Sequence, residues 1–183
     1  MKRLFVAVPV SEEIKERIKP VLSELPKTGA DLKVVSIFNL HFTLKFLGEV
    51  EEKKIPEIEE KLTEIAQKTK KFEVSLKGVG VFPSLERINV IWVGTEGTGL
   101  VSLMKSVSKE LNFIRKNDQE EEVAHLTIAR VKSGRGKKEL QEFVKKFEKA
   151  EFGTMKVDKM ILFESELKRE GAVHKVVKEF ELG

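Results

Sequence analysis

The stretch Leu40-His41-Phe42-Thr43-Leu44-Lys45-Phe46 decides how this chain folds. Laid out as a strand, its side chains alternate between two faces with a period of two. Phe42, Leu44 and Phe46 then share an apolar face that anchors the strand in a core. His41, Thr43 and Lys45 share the other face and present an imidazole, a hydroxyl and an ammonium side by side. A second stretch, His125-Leu126-Thr127-Ile128-Ala129-Arg130, repeats the pattern. Leu126 and Ile128 face a core, and His125 and Thr127 point away from it. A single His-x-Thr is a weak signal, but here two of the three histidines carry it.

Outward from these motifs, the order of elements also repeats. Leu4–Val10 reads as a buried strand, and Ser11 caps a helix from Glu12 to Leu25 that Pro26 and Gly29 end. Leu32–Ile37 is a further strand. The first motif strand runs over Leu40–Phe46 and stops at Gly48. An amphipathic helix, Glu51–Lys70, leads to strands Phe72–Phe82 and Ile88–Thr95. Helix Thr98–Asn112 precedes the second motif strand, Val123–Val131, and helix Gly136–Ala150 precedes strands Phe152–Phe163 and Val173–Leu182. Each half thus runs strand, helix, motif strand, helix, strand, turn, strand. The expected fold is α+β: a bilobal, pseudo-twofold duplication in which two antiparallel or mixed sheets face a central cleft, with helices outside. Residues 1–183 form one domain of two intertwined lobes, and the cleft between them is where a ligand would bind.

Composition narrows the chemistry. The 183 residues are 40% apolar and 35% charged, as in a globular protein. No apolar run reaches the roughly 18–20 residues of a membrane span, and the short apolar opening lacks a cleavage site of the secretory kind. The chain is expected to be cytoplasmic, monomeric and without a membrane partner. There is no cysteine, which excludes disulfides, thiolate metal sites and cysteine nucleophiles. No two histidines sit at i+2, i+3 or i+4, so neither a metal nor any other cofactor is expected. The Lys- and Glu-rich composition fits a heat-adapted protein. A net charge of +4 permits an RNA partner without demanding one. The basic loop Ser133–Lys138 can touch RNA phosphates, but it is not a phosphate-binding loop of the Walker kind.

Paired His-x-Thr motifs suit phosphate chemistry. A hydroxyl two residues from a histidine can hydrogen-bond a phosphate oxygen while the imidazole addresses a bridging oxygen or a water. Two histidines on opposite sides of one phosphorus can serve as acid and base. Lys45 has the parity to join them. Arg130 does not, unless the strand ends or bulges after Ile128. Phe82, Phe163 and Trp92 are candidates for stacking on a base, with Trp92 expected in the core.

Asn39-Leu40-His41-Phe42-Thr43-Leu44-Lys45-Phe46-Leu47-Gly48 and His125-Leu126-Thr127-Ile128-Ala129-Arg130, with Leu4–Val8, Phe82-Pro83-Ser84 and Ile91-Trp92-Val93-Gly94, resemble the 2H phosphoesterase superfamily. Within it, the chain is similar to the RNA 2′,3′-cyclic phosphodiesterases, also named 2′-5′ RNA ligases. The resemblance spans essentially the whole chain. It implies a cleft holding both histidines and both threonines. It also implies hydrolysis of RNA or nucleotide 2′,3′-cyclic phosphate ends to 2′-phosphomonoesters, with 2′-5′ ligation as the reverse. His41 is then the proton donor, His125 the proton acceptor, Thr43 and Thr127 the ligands of the non-bridging oxygens, and Lys45 or Arg130 the countercharge. One departure stands out: where many relatives carry Gly-x-x-Tyr, this chain has Gly171-Ala172-Val173-His174. An ordinary polar strand residue is the expectation for His174. The rival readings are an enzyme acting on the cyclic phosphate of a small nucleotide, and an RNA clamp without catalysis.

Overall fold

A computed structural model describes residues 1–116 and 123–183. In chain order the elements are β1 (Lys2–Pro9), α1 (Glu12–Glu24), β2 (Leu32–Val34), β3 (His41–Val50), α2 (Ile55–Lys68), β4 (Phe72–Pro83), β5 (Ile88–Glu96), α3 (Gly99–Glu110), β6 (His125–Val131), α4 (Lys137–Phe147), β7 (Glu151–Val157), β8 (Lys159–Lys168) and β9 (Gly171–Glu181). They build two sheets, ordered β3-β1-β8-β9 and β2-β6-β5-β4-β7. Every strand pairing is antiparallel. The two sheets face a central cleft and the helices cover their other sides, as the sequence led us to expect.

Local sequence explains the elements. β1 is apolar without alternation because it is central, between β3 and β8, and both its faces are buried. α1 starts where the Ser11 side chain accepts from the Ile14 N–H at 3.3 Å, with Glu12 and Glu13 favourably placed in its first turn. Its buried stripe, Ile14, Ile18, Val21 and Leu22, has helical spacing. α1 packs on β7, α4 on β4, α2 on β9 and α3 on β3. A single apolar core runs through both sheets, from Val6 and Phe42 to Leu126 and Ile128.

Several boundaries differ from expectation. The segment expected as one strand over Phe152–Phe163 is two, β7 and β8, which part at Asp158 and enter different sheets. Gly48 does not end β3. It takes a positive φ of 72° and the strand continues to Val50. Leu32–Ile37 is a strand only to Val34; Ile37–Asn39 is a short 3-10 turn that delivers the chain to His41. The lobes are also not the two halves of the sequence. The sheet of the first motif is completed by β8 and β9 from the C-terminal part, and that of the second motif takes β4 and β5, which follow the first.

Candidate active site

The two motif strands have the same construction. β3 lies beside β1 with Pro9 opposite His41, Ala7 opposite Thr43 and Phe5 opposite Phe46. β6 lies beside β5 with Gly94 opposite His125, Trp92 opposite Thr127 and Val90 opposite Arg130. Each register skips a residue just after the threonine, Leu44 in β3 and Ile128 in β6, which is a β-bulge; β3 skips Leu47 as well. A bulge reverses side-chain parity beyond it. His and Thr therefore share their face with the residue five positions after the histidine, Phe46 in one strand and Arg130 in the other. The residue between, Lys45 or Ala129, turns into the interior.

This corrects one assignment and supplies the condition for another. Lys45, expected beside His41 and Thr43, lies opposite Val6 on the core side and is 4% exposed. Burial, with the Arg115 guanidinium nearby, holds its pKa below the usual lysine value. Arg130, which strict alternation puts behind the sheet, shares the face of His125 and Thr127 because Ile128 bulges. β2 adds a cation that sequence reasoning missed. Lys33 lies opposite Arg130, and its ammonium reaches Gly171 at the head of β9, where a Cβ would sit 3.3 Å from Nζ.

The histidines are oriented alike. His41 Nδ1 lies 2.6 Å from the carbonyl oxygen of Asn39, and His125 Nδ1 lies 3.3 Å from that of Val123. A carbonyl can only accept, so each Nδ1 carries a proton and donates it. Nε2 is thereby the nitrogen free for chemistry in both rings. Asn39 has a second bond: its side-chain amide donates to the Ala172 carbonyl oxygen at 3.1 Å, tying the β8–β9 hairpin to the first motif. Burial pushes the His41 pKa down to about 4; the Asn39 carbonyl opposes that shift, and repulsion from His174 adds to it. Thr43 and Thr127 are half-buried beside their histidines. β3 and β6 pack against each other, which brings the two motif strands side by side.

Aromatic rings wall both sides. On the first sheet, Phe5 lies 5.0 Å from His41, 5.9 Å from Phe46 and 5.2 Å from Phe163 between ring centroids. On the second, Phe82 lies 5.0 Å from His125 and 5.1 Å from Trp92. Trp92, expected in the core, is half-buried on the cleft face. Gly80 makes room for it, since a Cβ there would sit 2.2 Å from its ring. His174 is also in the cleft, its ring 5.3 Å from that of His41. The signal for it in the sequence is the Gly171-Ala172-Val173-His174 departure, which is read there as an ordinary polar strand residue. The basic loop borders a separate hollow with Arg87 and Asn89, and no motif histidine lines it. Among the described residues no cluster of three His, Asp or Glu side chains could hold a metal ion, and no helix is long and apolar enough to cross a membrane.

Two His-x-Thr strands on paired antiparallel sheets define a two-histidine phosphoesterase fold, and the chain belongs to the LigT-like phosphoesterase family, whose model matches residues 8–92 and 95–174. Among named relatives, the RNA 2′,3′-cyclic phosphodiesterase of Archaeoglobus fulgidus is 39% identical over 98% of this chain and 99% of its own length. That of Methanocaldococcus jannaschii is 35% identical over 97% and 99%. The crystal structure of a Thermus thermophilus protein superposes with a TM-score of 0.82 at 25% identity, covering 98% of this chain and 97% of that one. Escherichia coli LigT complexed with 3′-AMP shares the fold, with a TM-score of 0.74 at 23% identity over 99% and 97%.

Proposed function

We propose that this protein is an RNA 2′,3′-cyclic phosphodiesterase that opens a terminal 2′,3′-cyclic phosphate to a 2′-phosphomonoester. The observation that carries the reading is the duplicated construction: an imidazole fixed through Nδ1 by the carbonyl two residues earlier, a threonine two residues later, on each of two abutting strands. The names of relatives aligned over nearly the whole chain support the same activity.

In this reading His125 Nε2 takes a proton from water as the oxygen attacks phosphorus in line. The bond from phosphorus to the ribose 3′-oxygen breaks, and His41 Nε2 protonates that oxygen. Thr43 and Thr127 hydrogen-bond the non-bridging oxygens, and Arg130 offsets the charge that develops there. Run backwards, with a 5′-hydroxyl in place of water, the same groups form a 2′-5′ linkage. His41 needs a proton to act as the acid, and burial works against one. The anionic phosphate beside it favours the imidazolium, so substrate charges the ring that uses the charge. The same burial favours the opposite assignment, His41 as base and His125 as acid.

The test is incubation with a 2′,3′-cyclic nucleotide and with an RNA ending in one, EDTA present. A 2′-phosphate product is expected, and its absence refutes the activity. His41→Ala and His125→Ala should each lose about 10²–10⁴-fold in kcat; unchanged rates refute the mechanism. A substrate with sulfur in place of the 3′-oxygen needs no general acid. It should rescue His41→Ala and leave His125→Ala impaired, and the reverse pattern exchanges the roles.

A further inference from the structure

His174 differs from the other two histidines in how it is held. Neither of its ring nitrogens has a hydrogen-bond partner among the described residues, whereas His41 and His125 each spend Nδ1 on a carbonyl. The ring is fixed by other rings instead: Phe5 meets it edge-on at 4.8 Å, Phe163 lies at 6.2 Å and His41 meets it edge-on at 5.3 Å. The residue is half-buried, and its nitrogens, which are not among the fully buried polar atoms, are left to water or a ligand. Polar groups in that position are usually satisfied, by protein, water or ligand. Phe5 touches both imidazoles, and Asn39 positions both strands, one through its carbonyl to His41 and one through its side chain to Ala172. On β8 and β9 the carboxylates Glu164 and Glu166 alternate with Ser165, the cross-strand partner of His174, and pair with Lys2 and Lys175. They hold the opposite face and do not compete for the ring.

We propose that His174 is a third substrate-binding group of the cleft, donating a hydrogen bond to the cyclic phosphate from the same side as His41. This rests on the phosphodiesterase reading and adds a ligand to that site. The cleft then has an imidazole pair on the first sheet against the single imidazole and Arg130 of the second. Two rings edge to edge disfavour charge on both, so a monoanionic phosphate between them draws one proton into the pair. Burial already lowers the pKa of His174.

Two substitutions separate binding from packing, assayed on a 2′,3′-cyclic mononucleotide. His174→Phe keeps a ring against Phe5 and Phe163 and removes the donor. His174→Gln keeps an N–H donor and removes the ring. Substrate contact predicts a fall in kcat/KM of about tenfold or more for Phe, mostly in KM, and within about threefold of wild type for Gln. A purely structural role predicts the reverse order. The His174 ring resonance should also move when a nucleoside 2′-phosphate or inorganic phosphate is titrated into the wild-type protein. A Phe variant as active as wild type, or a ring resonance that product leaves in place, overturns the inference. If wild type forms no product at all, the activity reading fails, and the response of the ring to phosphate still decides whether His174 binds anions.

Discussion

The bulge at Ile128 brings Arg130 onto the face of His125, and its counterpart at Leu44 takes Lys45 off the face of His41. Substituting the two cations in turn tests that assignment. A hydrogen bond to a charged group is worth about 1.5–3 kcal/mol. Arg130 is solvent-exposed, so the lower end applies, and Arg130→Ala should reduce kcat/KM about tenfold. Arg130→Lys keeps the charge and loses the planar fork, and an intermediate loss is expected. Lys45→Met places an unbranched side chain of similar length opposite Val6. It should leave kcat/KM within about twofold of wild type and act instead on stability. The assay is steady-state hydrolysis of a 2′,3′-cyclic mononucleotide at two salt concentrations, with urea unfolding to confirm the fold. A Lys45→Met protein that is folded but loses as much activity as Arg130→Ala would refute the argument from the bulges.

Gly80→Ala should destabilise by about 1–3 kcal/mol, because its Cβ would sit 2.2 Å from the Trp92 ring; urea denaturation measures this, and activity should fall with it because Trp92 neighbours His125. The His41 pKa, about 4 in the fold against an ordinary 6.5, means that the unfolded chain takes up a proton between those values that the folded chain refuses. Stability contributed by the neutral ring is therefore present above about pH 6.5 and lost as the pH falls toward 4, by up to about 2–3 kcal/mol, and His41→Phe should flatten that slope in denaturation curves. Ser11→Ala removes the cap bond to Ile14 and should cost about 1 kcal/mol of stability without changing kcat.

The sequence was informative wherever a single period held. The His-x-Thr face, the core positions Phe42, Leu44, Leu126 and Ile128, and the capped start of α1 all follow from constant spacing and local chemistry. It misled at the points where the period breaks. Nothing local marks Leu44 or Ile128 as a bulge: each is an apolar residue in an apolar alternation, and only the register against β1 and β5 reveals the skipped residue. Strict alternation consequently puts Lys45 on the wrong face, and nothing local to Trp92 shows that Gly80, its partner across a strand pairing, makes room for its ring. The change of sheet at Asp158 was equally invisible, since β7 and β8 read as one continuous strand. His174 depends on a hairpin brought beside β3 by Asn39, a contact between residues 133 positions apart.

The interleaving of strands bears on how the protein acquires its activity. β1 waits for β8 to pair with it, with Leu4 opposite Glu164, so the central strand of the first sheet lacks a neighbour until almost the whole chain is available. Contacts so distant in sequence are slow to form because the loop between them must first be closed. β1 and β3, with His41 and Thr43, lie within the first 50 residues, yet the wall of Phe163 and His174 arrives only with the last hairpin. During synthesis, the wall beside His41 is therefore among the final parts to assemble, and a nascent or truncated chain would hold its first motif without the surroundings that give it a function.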